Sequence, residues 1–295
     1  MRKLTFLISF CLCIALHATT SKTVNVSIAG TLSLYFTTAV DSAVTNLTIT
    51  GNIDARDFKF IKYLDLENLN IENVNIVAYE GKEGTASSIN SISYPANELP
   101  EMSLSDMYHL KSILFPKSLT SIGDVVLFGL MAVNSSIDSL NIPEGVTSIG
   151  VGFATPLFGL ISITLPSTLD ILNGGSFPNG DYLSKVTNFN PTPIDIDSTC
   201  FEYVNKSVCT LYVPYGSGDA YRSANVWKEF NVVELPEETT AINETTTDST
   251  EKTVIAYYSI TGVKLSNEPE SGIYIVVYNN GESDKRIKKE NFTKP

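Results

Sequence analysis

Apolar residues in the middle of the chain recur in short alternating pairs, not at the 3.6-residue interval of a helix. The phrase "LKSILFPKSLTSIG" (residues 110–123) is nearly repeated by "IDSLNIPEGVTSIG" (137–150) and again by "LISITLPSTLDILN" (160–173). A decayed copy, "LSKVTNFNPTPIDI", covers 183–196, and "VCTLYVP" (208–214) restates the first half. The copies begin at Leu110, Ile137, Leu160, Leu183 and Val208, at spacings of 27, 23, 23 and 25 residues. In the first half of each unit the apolar pair is Ile113 and Phe115, Leu140 and Ile142, Ile163 and Leu165, Val186 and Phe189 (shifted by one), then Leu211 and Val213. Alternation with period two predicts a short strand with one buried face. The proline that follows ends the strand, because it has no N–H to give a ladder. A second apolar pair comes after the turn: Leu119 and Ile122, Val146 and Ile149, Leu169 and Leu172. Phe128, Phe153, Phe177 and Phe201 then recur on the return path, where each is expected to fill the interior. One such unit cannot bury its apolar edge alone, whereas stacked units cover one another. The predicted fold is therefore mostly β, a solenoid of repeats of about 23–27 residues.

The flanks extend this reading. "LTIT" (47–50) and "YLDLENLNI" (63–71) alternate and read as early strands. "TLSLYFTTAVDSAVTNL" (31–47) reads as a short helix over the open end, as a terminal unit requires. "AYEGKEGTASSINSISYPANELPE" (78–101) reads as a long loop or an irregular repeat. At the far end, residues 217–230 place Tyr221, Trp227 and Phe230 at helical intervals, enough aromatic bulk to close the stack. "PEETTAINETTTDSTEK" (236–252) is poor in apolar residues and reads as a solvated linker. Beyond it, 253–295 alternates again between the turn signals "SITG", "SGIY" and "NNGE", predicting a small β module.

The first residues read as a secretory signal peptide. Arg2 and Lys3 precede the apolar run "LTFLISFCLCIAL", and Ala18 supplies a small residue for cleavage. The run is too short to span a bilayer, which needs roughly 20 residues. A lipoprotein signal at Cys11 or Cys13 would want a small residue where Phe10 and Leu12 stand. The expected organisation is a signal peptide (1–18), a solenoid with terminal caps (19–235), a linker (236–252) and the β module (253–295). Composition narrows the partners. The 295-residue chain carries a formal charge of −12, which argues against nucleic acid, because phosphate binding needs clustered Lys and Arg. Cys200 and Cys209 lie close enough in sequence for a disulfide in an exported chain; the alternative is two free, half-buried thiols.

Several of these phrases carry a resemblance. "LKSILFPKSLTSIG", "IDSLNIPEGVTSIG" and above all "CTLYVPYGSGDAYRSANVWKEFNVVEL" look like the BspA-type leucine-rich-repeat proteins of gut and oral Bacteroidetes. "LTITGNIDARDFKFIKYLDLENLNI" resembles their N-terminal opening segment, so the likeness covers roughly residues 24–235. "YYSITGVKLSNEPESGIYIVVYNNGESDKRIKK" is similar to the C-terminal sorting module of the type IX secretion pathway, although shorter than that module usually is. The resemblance implies a secreted or outer-surface protein that engages a protein or glycan on a host or bacterial surface. It implies a leucine-rich-repeat solenoid with no cofactor.

Catalytic chemistry finds little footing. His109 is the one histidine after the signal segment, and it stands at a repeat start, where a strand-edge role is expected. No H-E-x-x-H, G-x-S-x-G or Walker pattern occurs. "NGGSFPNG" (173–180) is glycine-rich but lacks a phosphate-binding lysine, and Asp195 with Asp197 makes too small a set for a calcium site. The sequons at Asn25, Asn46, Asn134, Asn205, Asn243 and Asn291 are read as incidental in a bacterial protein. Binding has a geometric basis instead. Strand positions that point away from the core would align as two columns: Ser112, Ser139, Ser162, Lys185 and Thr210, and Leu114, Asn141, Thr164, Thr187 and Tyr212. Solenoids use such a face for extended partners. Lys185 and Tyr212 would be its stronger anchors.

Overall fold

The computed structural model describes residues 20–38, 41–86, 88–129, 137–177, 182–237, 254–259, 264–265, 267–269, 272–278 and 283–288. The signal segment 1–18 and nearly all of the linker 236–252 lie outside the described residues. The chain divides into two units, Met1–Ile242 and Asn243–Pro295.

The first unit is a stack of coils. In chain order its strands are β1 (Thr20–Val26), β2 (Val44–Ile53), β3 (Asn68–Ile76), β4 (Tyr79–Gly81), β5 (Ile92–Tyr94), β6 (Glu98–Leu99), β7 (Ser112–Leu114), β8 (Ser121–Ile122), β9 (Ser139–Asn141), β10 (Ser148–Ile149), β11 (Ser162–Leu165), β12 (Ile171–Leu172), β13 (Lys185–Asn188), β14 (Thr210–Val213) and β15 (Asn231–Glu234). Three parallel ladders join them. β1-β2-β3-β7 forms one sheet, β9-β11-β13-β14-β15 a second, and the two-residue strands β6-β8-β10-β12 a third. β4 and β5 form a separate antiparallel hairpin.

Register makes the repeat physical. Leu140, Ile163, Val186 and Leu211 are direct partners across successive strands, and all four are buried. Ile122, Ile149 and Leu172 form a second buried row in the narrow ladder. Each such side chain gains about 1.5–3 kcal/mol from leaving water, and only the neighbouring coil makes that burial complete. The proline that ends each strand turns the chain with its own carbonyl. Pro116, Pro143, Pro166 and Pro214 accept from the amides of Leu119, Val146, Leu169 and Ser217 at 3.0–3.4 Å. The glycine that ends "TSIG" has a reason too. A Cβ on Gly150 would lie 2.6 Å from the backbone of Gly123, and one on Gly123 would lie 2.8 Å from Leu99 O. The coils touch there, so no side chain fits.

The phenylalanines form a ladder through the interior. Phe153 meets Phe177 edge-on at 5.8 Å between centroids, and Phe177 stacks on Phe201 at 5.6 Å. The ladder runs into the end cap, where Phe201 meets Trp227 at 5.7 Å and Phe230 at 5.2 Å. The expected first rung is absent. Phe128 is 41% exposed, and Val126 and Leu127 are buried in its coil instead. That turn holds its inward position one or two residues earlier, which periodicity alone does not reveal.

Other differences have local causes. In the decayed copy Asn188, not Phe189, pairs with Leu165 and is fully buried. The strand keeps strict alternation after Val186 and carries no bulge that would admit Phe189. In the last copy Cys209 is buried while Val208 is exposed. The end cap holds one short helix, α2 (Gly218–Ser223), followed by a 3-10 turn at Trp227–Glu229. Beyond it "NVVE" adds β15 beside β14, a strand not expected from the sequence. At the other end the short helix expected in 31–47 is two 3-10 turns, Leu32–Tyr35 and Asp41–Ala43. Helix α1 (Ala55–Ile61) follows β2 unannounced by periodicity. Its start is written in "DARD": Asp54 accepts from Arg56 N, and Asp57 accepts from Asp54 N in a capping box. The segment 63–67 turns before β3, which begins at Asn68.

The second unit contains a four-stranded antiparallel sheet of β16 (Val254–Ser259), β17 (Lys264–Leu265), β18 (Gly272–Tyr278) and β19 (Ser283–Lys288), in the order β17-β16-β18-β19. Val276 is its buried centre, with Tyr257 and Leu265 packed against it. Most residues of its expected turn signals lie outside the described set.

Candidate sheet-face binding surface

The ladders decide which of the expected surface residues share a face. Ser139, Ser162, Lys185 and Thr210 are consecutive partners from β9 to β14, and Asn231 on β15 continues the column. Asn141, Thr164, Thr187 and Tyr212 form the second column, continued by Val233. Ser112 and Leu114 belong to the other sheet, where they pair with Asn68 and Asn70 on β3. The expected ten-residue face is therefore divided between two ladders.

One member departs from the expectation. Thr187 is only 7% exposed. Its direct partner is Tyr212, and the Lys185 ammonium sits 5.4 Å from the Tyr212 ring centroid. Thr187 stands in its column between Thr164 and Tyr212, its direct partners on either side. The lysine and tyrosine do form one feature, since a cation over a ring face is held by the ring quadrupole. Ser139, Asn141 and Lys185 are exposed, and Ser162, Thr164, Thr210 and Tyr212 are half-buried. Asn231 Nδ2 donates to Thr210 Oγ1 at 3.4 Å.

The first sheet presents a row that sequence reading missed. Asn46 Nδ2 donates to Ser21 Oγ at 3.4 Å, Asn68 Nδ2 donates to Asn46 Oδ1 at 2.5 Å, and Ser112 Oγ donates to Asn68 Oδ1 at 2.5 Å. Four strands are thus joined by side-chain amides and hydroxyls. The signal was present in "NLTI" and "NLNI", each with Asn one place before the buried Leu. Beside this row, Lys111 pairs with Glu67 at 2.8 Å, and His109 pairs with Asp65. Both members of the His109 pair are largely exposed, and His109 lies in the turn before β7, not on a strand.

The cysteine bridge considered from the sequence is not formed: both thiols are free and buried. Cys200 belongs to the 3-10 turn Ser198–Phe201 and points at the previous coil, with Sγ 3.4 Å from Leu172 O and 3.3 Å from Asn173 O. Cys209 leads into β14 and fills an inward place of its own. Burial pushes both thiols up to about 11, away from thiolate chemistry. Asp197 is a turn cap: its carboxylate accepts from Thr199 N at 2.8 Å and from Thr199 Oγ1, and these bonds hold it below the usual carboxylate range. Among the described residues no group of three or more His, Cys, Asp and Glu side chains could hold a metal ion. No described helix is long and apolar enough to cross a membrane.

Comparison with known proteins agrees with this architecture. A repeat family described as BspA type Leucine rich repeat region matches in six copies, over residues 35–153, 82–208 and 152–260, together more than half of the chain. No curated protein matches. A crystal structure of a leucine-rich repeat protein from Bacteroides ovatus ATCC 8483 is similar at 18% identity, over 66% of this chain and 63% of that one, with a TM-score of 0.29. The chain thus spans less than two thirds of that protein's length. Leucine-rich repeats serve in general as scaffolds for protein interaction, not as catalytic frameworks. The chain belongs to the BspA-type leucine-rich repeat family.

Proposed function

We propose that the chain is a secreted or outer-surface interaction protein whose sheet face, from β9 to β15, receives an extended protein or glycan displayed by a host or by another bacterium. The observation that carries this reading is the pair of aligned columns with Lys185 seated over Tyr212 at 5.4 Å. A cation and an aromatic ring held together are anchors of the kind that dominate binding energy, and small hydroxyl side chains on both sides leave room for a partner. The leader at 1–18, with its basic start and short apolar run, supports export. The sorting-like tail supports delivery to the outer surface.

The test is capture of purified host matrix proteins and bacterial surface glycans on the immobilised protein. Lys185→Glu and Tyr212→Ala should each weaken whatever the wild type retains by tenfold or more. Retention equal to wild type by both variants rejects this face. Fractionation of cells with an antibody against residues 283–288 tests the placement. A second reading, an envelope-associated structural protein with no dedicated ligand, draws on the small polar character of most of the face. Deletion that weakens the envelope and leaves adhesion unchanged would favour it.

A further inference from the structure

Away from the sheet face, two adjoining clefts open between the end of α1 and the turn at 101–109. One, of about 300 Å³, is lined by Lys62, Tyr63, Asp65, Asp106, Tyr108 and His109, among others. The other, of about 330 Å³, includes Lys59, Lys62, Tyr63, Thr85 and Glu101 in its lining. Lys62 and Tyr63 belong to both, so the two clefts form one groove. Each half is at the small end of ligand sites, about 300–1,000 Å³.

The polar groups of this groove are unequally satisfied. Two of its carboxylates have partners: Asp106 accepts from Tyr108 Oη at 3.2 Å and from Ser105 Oγ at 3.4 Å, and Asp65 pairs with His109, while Glu101 is exposed. Lys62 is half-buried and, among the described residues, its ammonium has no hydrogen bond or ion pair. Burial lowers its affinity for the proton, and Asp106 acts on it only from beyond contact. Thr85 is 8% exposed, and its hydroxyl is without a partner among the described residues. The half-buried Lys62 ammonium, common to both clefts, therefore lacks an acceptor, and the Thr85 hydroxyl of the second cleft lacks a partner beneath its surface. Two rings line the cleft with Lys62: Tyr63 is 81% exposed and Tyr108 49%. An aromatic face carries negative charge density and suits the C–H face of a pyranose.

We propose that this groove binds a carboxylated sugar, with the acid group on Lys62 and the ring against Tyr63. The site is separate from the sheet face and does not depend on it.

Isothermal titration of the full chain with methyl β-D-glucuronide and with a methyl sialoside, against methyl β-D-glucoside, tests the proposal. The glucuronide and the glucoside differ only in the carboxylate. At least one acidic sugar should bind tenfold or more tightly than the glucoside. Lys62→Gln should abolish that preference. Tyr63→Ala should weaken binding of the acidic sugar tenfold, and so exposed a side chain can be removed without unfolding the chain. Lys228→Gln, on the end cap, should bind as wild type. Equal binding of neutral and acidic sugars, no binding of either acid, or unchanged binding by Lys62→Gln each overturns it.

Discussion

Phe177 is the central rung of the interior ladder, and its removal tests whether stacking of coils supplies the stability. Its ring is buried between Phe153 at 5.8 Å and Phe201 at 5.6 Å. Phe→Ala in a packed core costs about 3–5 kcal/mol. Two ring neighbours, each contributing about 0.5–1.5 kcal/mol beyond area burial, place this site near the middle of that range or above. With a urea slope of about 2–3 kcal/mol/M, a loss of about 4 kcal/mol lowers the unfolding midpoint by about 1.5 M. The comparison is Phe128→Ala. That side chain is 41% exposed, and its loss should cost about 1 kcal/mol or less. The chain has a single tryptophan, Trp227, buried in the end cap against Phe201. Its fluorescence reports the C-terminal coils, while far-UV circular dichroism reports the whole stack. Because coils contact only their neighbours, Phe177→Ala should also separate the two transitions. A midpoint shift for Phe177→Ala no greater than that for Phe128→Ala would refute the reasoning.

Four further outcomes are expected. Asp57→Ala should destabilise the N-terminal end by about 2–4 kcal/mol in urea unfolding, because the amides of Gly30, Leu32 and Asp54 lose the buried carboxylate they bond at 2.6–3.0 Å. Gly150→Ala should cost about 2 kcal/mol or more, measured the same way, since the new Cβ meets the Gly123 backbone at 2.6 Å and backbone cannot step aside. Cys200 and Cys209 should stay unreactive toward Ellman's reagent at pH 8 and react once the chain is unfolded; rapid modification of native protein would contradict their burial. Asp41 is held well below the usual carboxylate range by the Lys22 ammonium first, then by bonds from Thr38 and Thr37. Its folded value is depressed, so its contribution to stability is complete above the unfolded value of about 3.9 and is lost as pH falls below it. Melting temperatures measured downward from about pH 5 should fall less steeply in Asp41→Asn than in wild type.

What the sequence discloses depends on how many coils share a constraint. Leu140, Ile163, Val186 and Leu211 were legible as one row because each must be apolar for the next to be covered, and the same requirement repeats in every copy. The glycines of "TSIG" were visible as a repeat, but their cause, contact between backbones of adjacent coils, exists only in three dimensions. Individual departures were hidden. Nothing in "TNFN" says whether Asn188 or Phe189 turns inward, because a bulge would exchange them and a single copy carries no periodicity of its own. The buried Asn188 keeps the strand regular at the cost of an Nδ2 that lacks a partner among the described residues. Phe128 failed as a rung for the same reason: it is one residue from a place that is set by the turn before it.

The proposed binding surfaces follow the opposite logic. A core position is constrained by its neighbours and repeats; an outward position answers only to its ligand and need not. Ser139, Ser162 and Thr210 could be placed on one column by counting, since register is fixed by the buried rows beneath them. Counting could not show that Lys185 reaches across to Tyr212 or that Thr187 is buried, because both depend on side-chain direction across a ladder. The groove at Lys62 was less visible still. Its lining comes from α1, the segment that follows it, the hairpin region near Thr85 and the turn at 101–109, stretches that share no phrase and lie outside the regular repeat. Function in such a stack is therefore most legible where the repeat is intact and least legible where the repeat breaks. The breaks are where the chain is free to gather unlike side chains around one space.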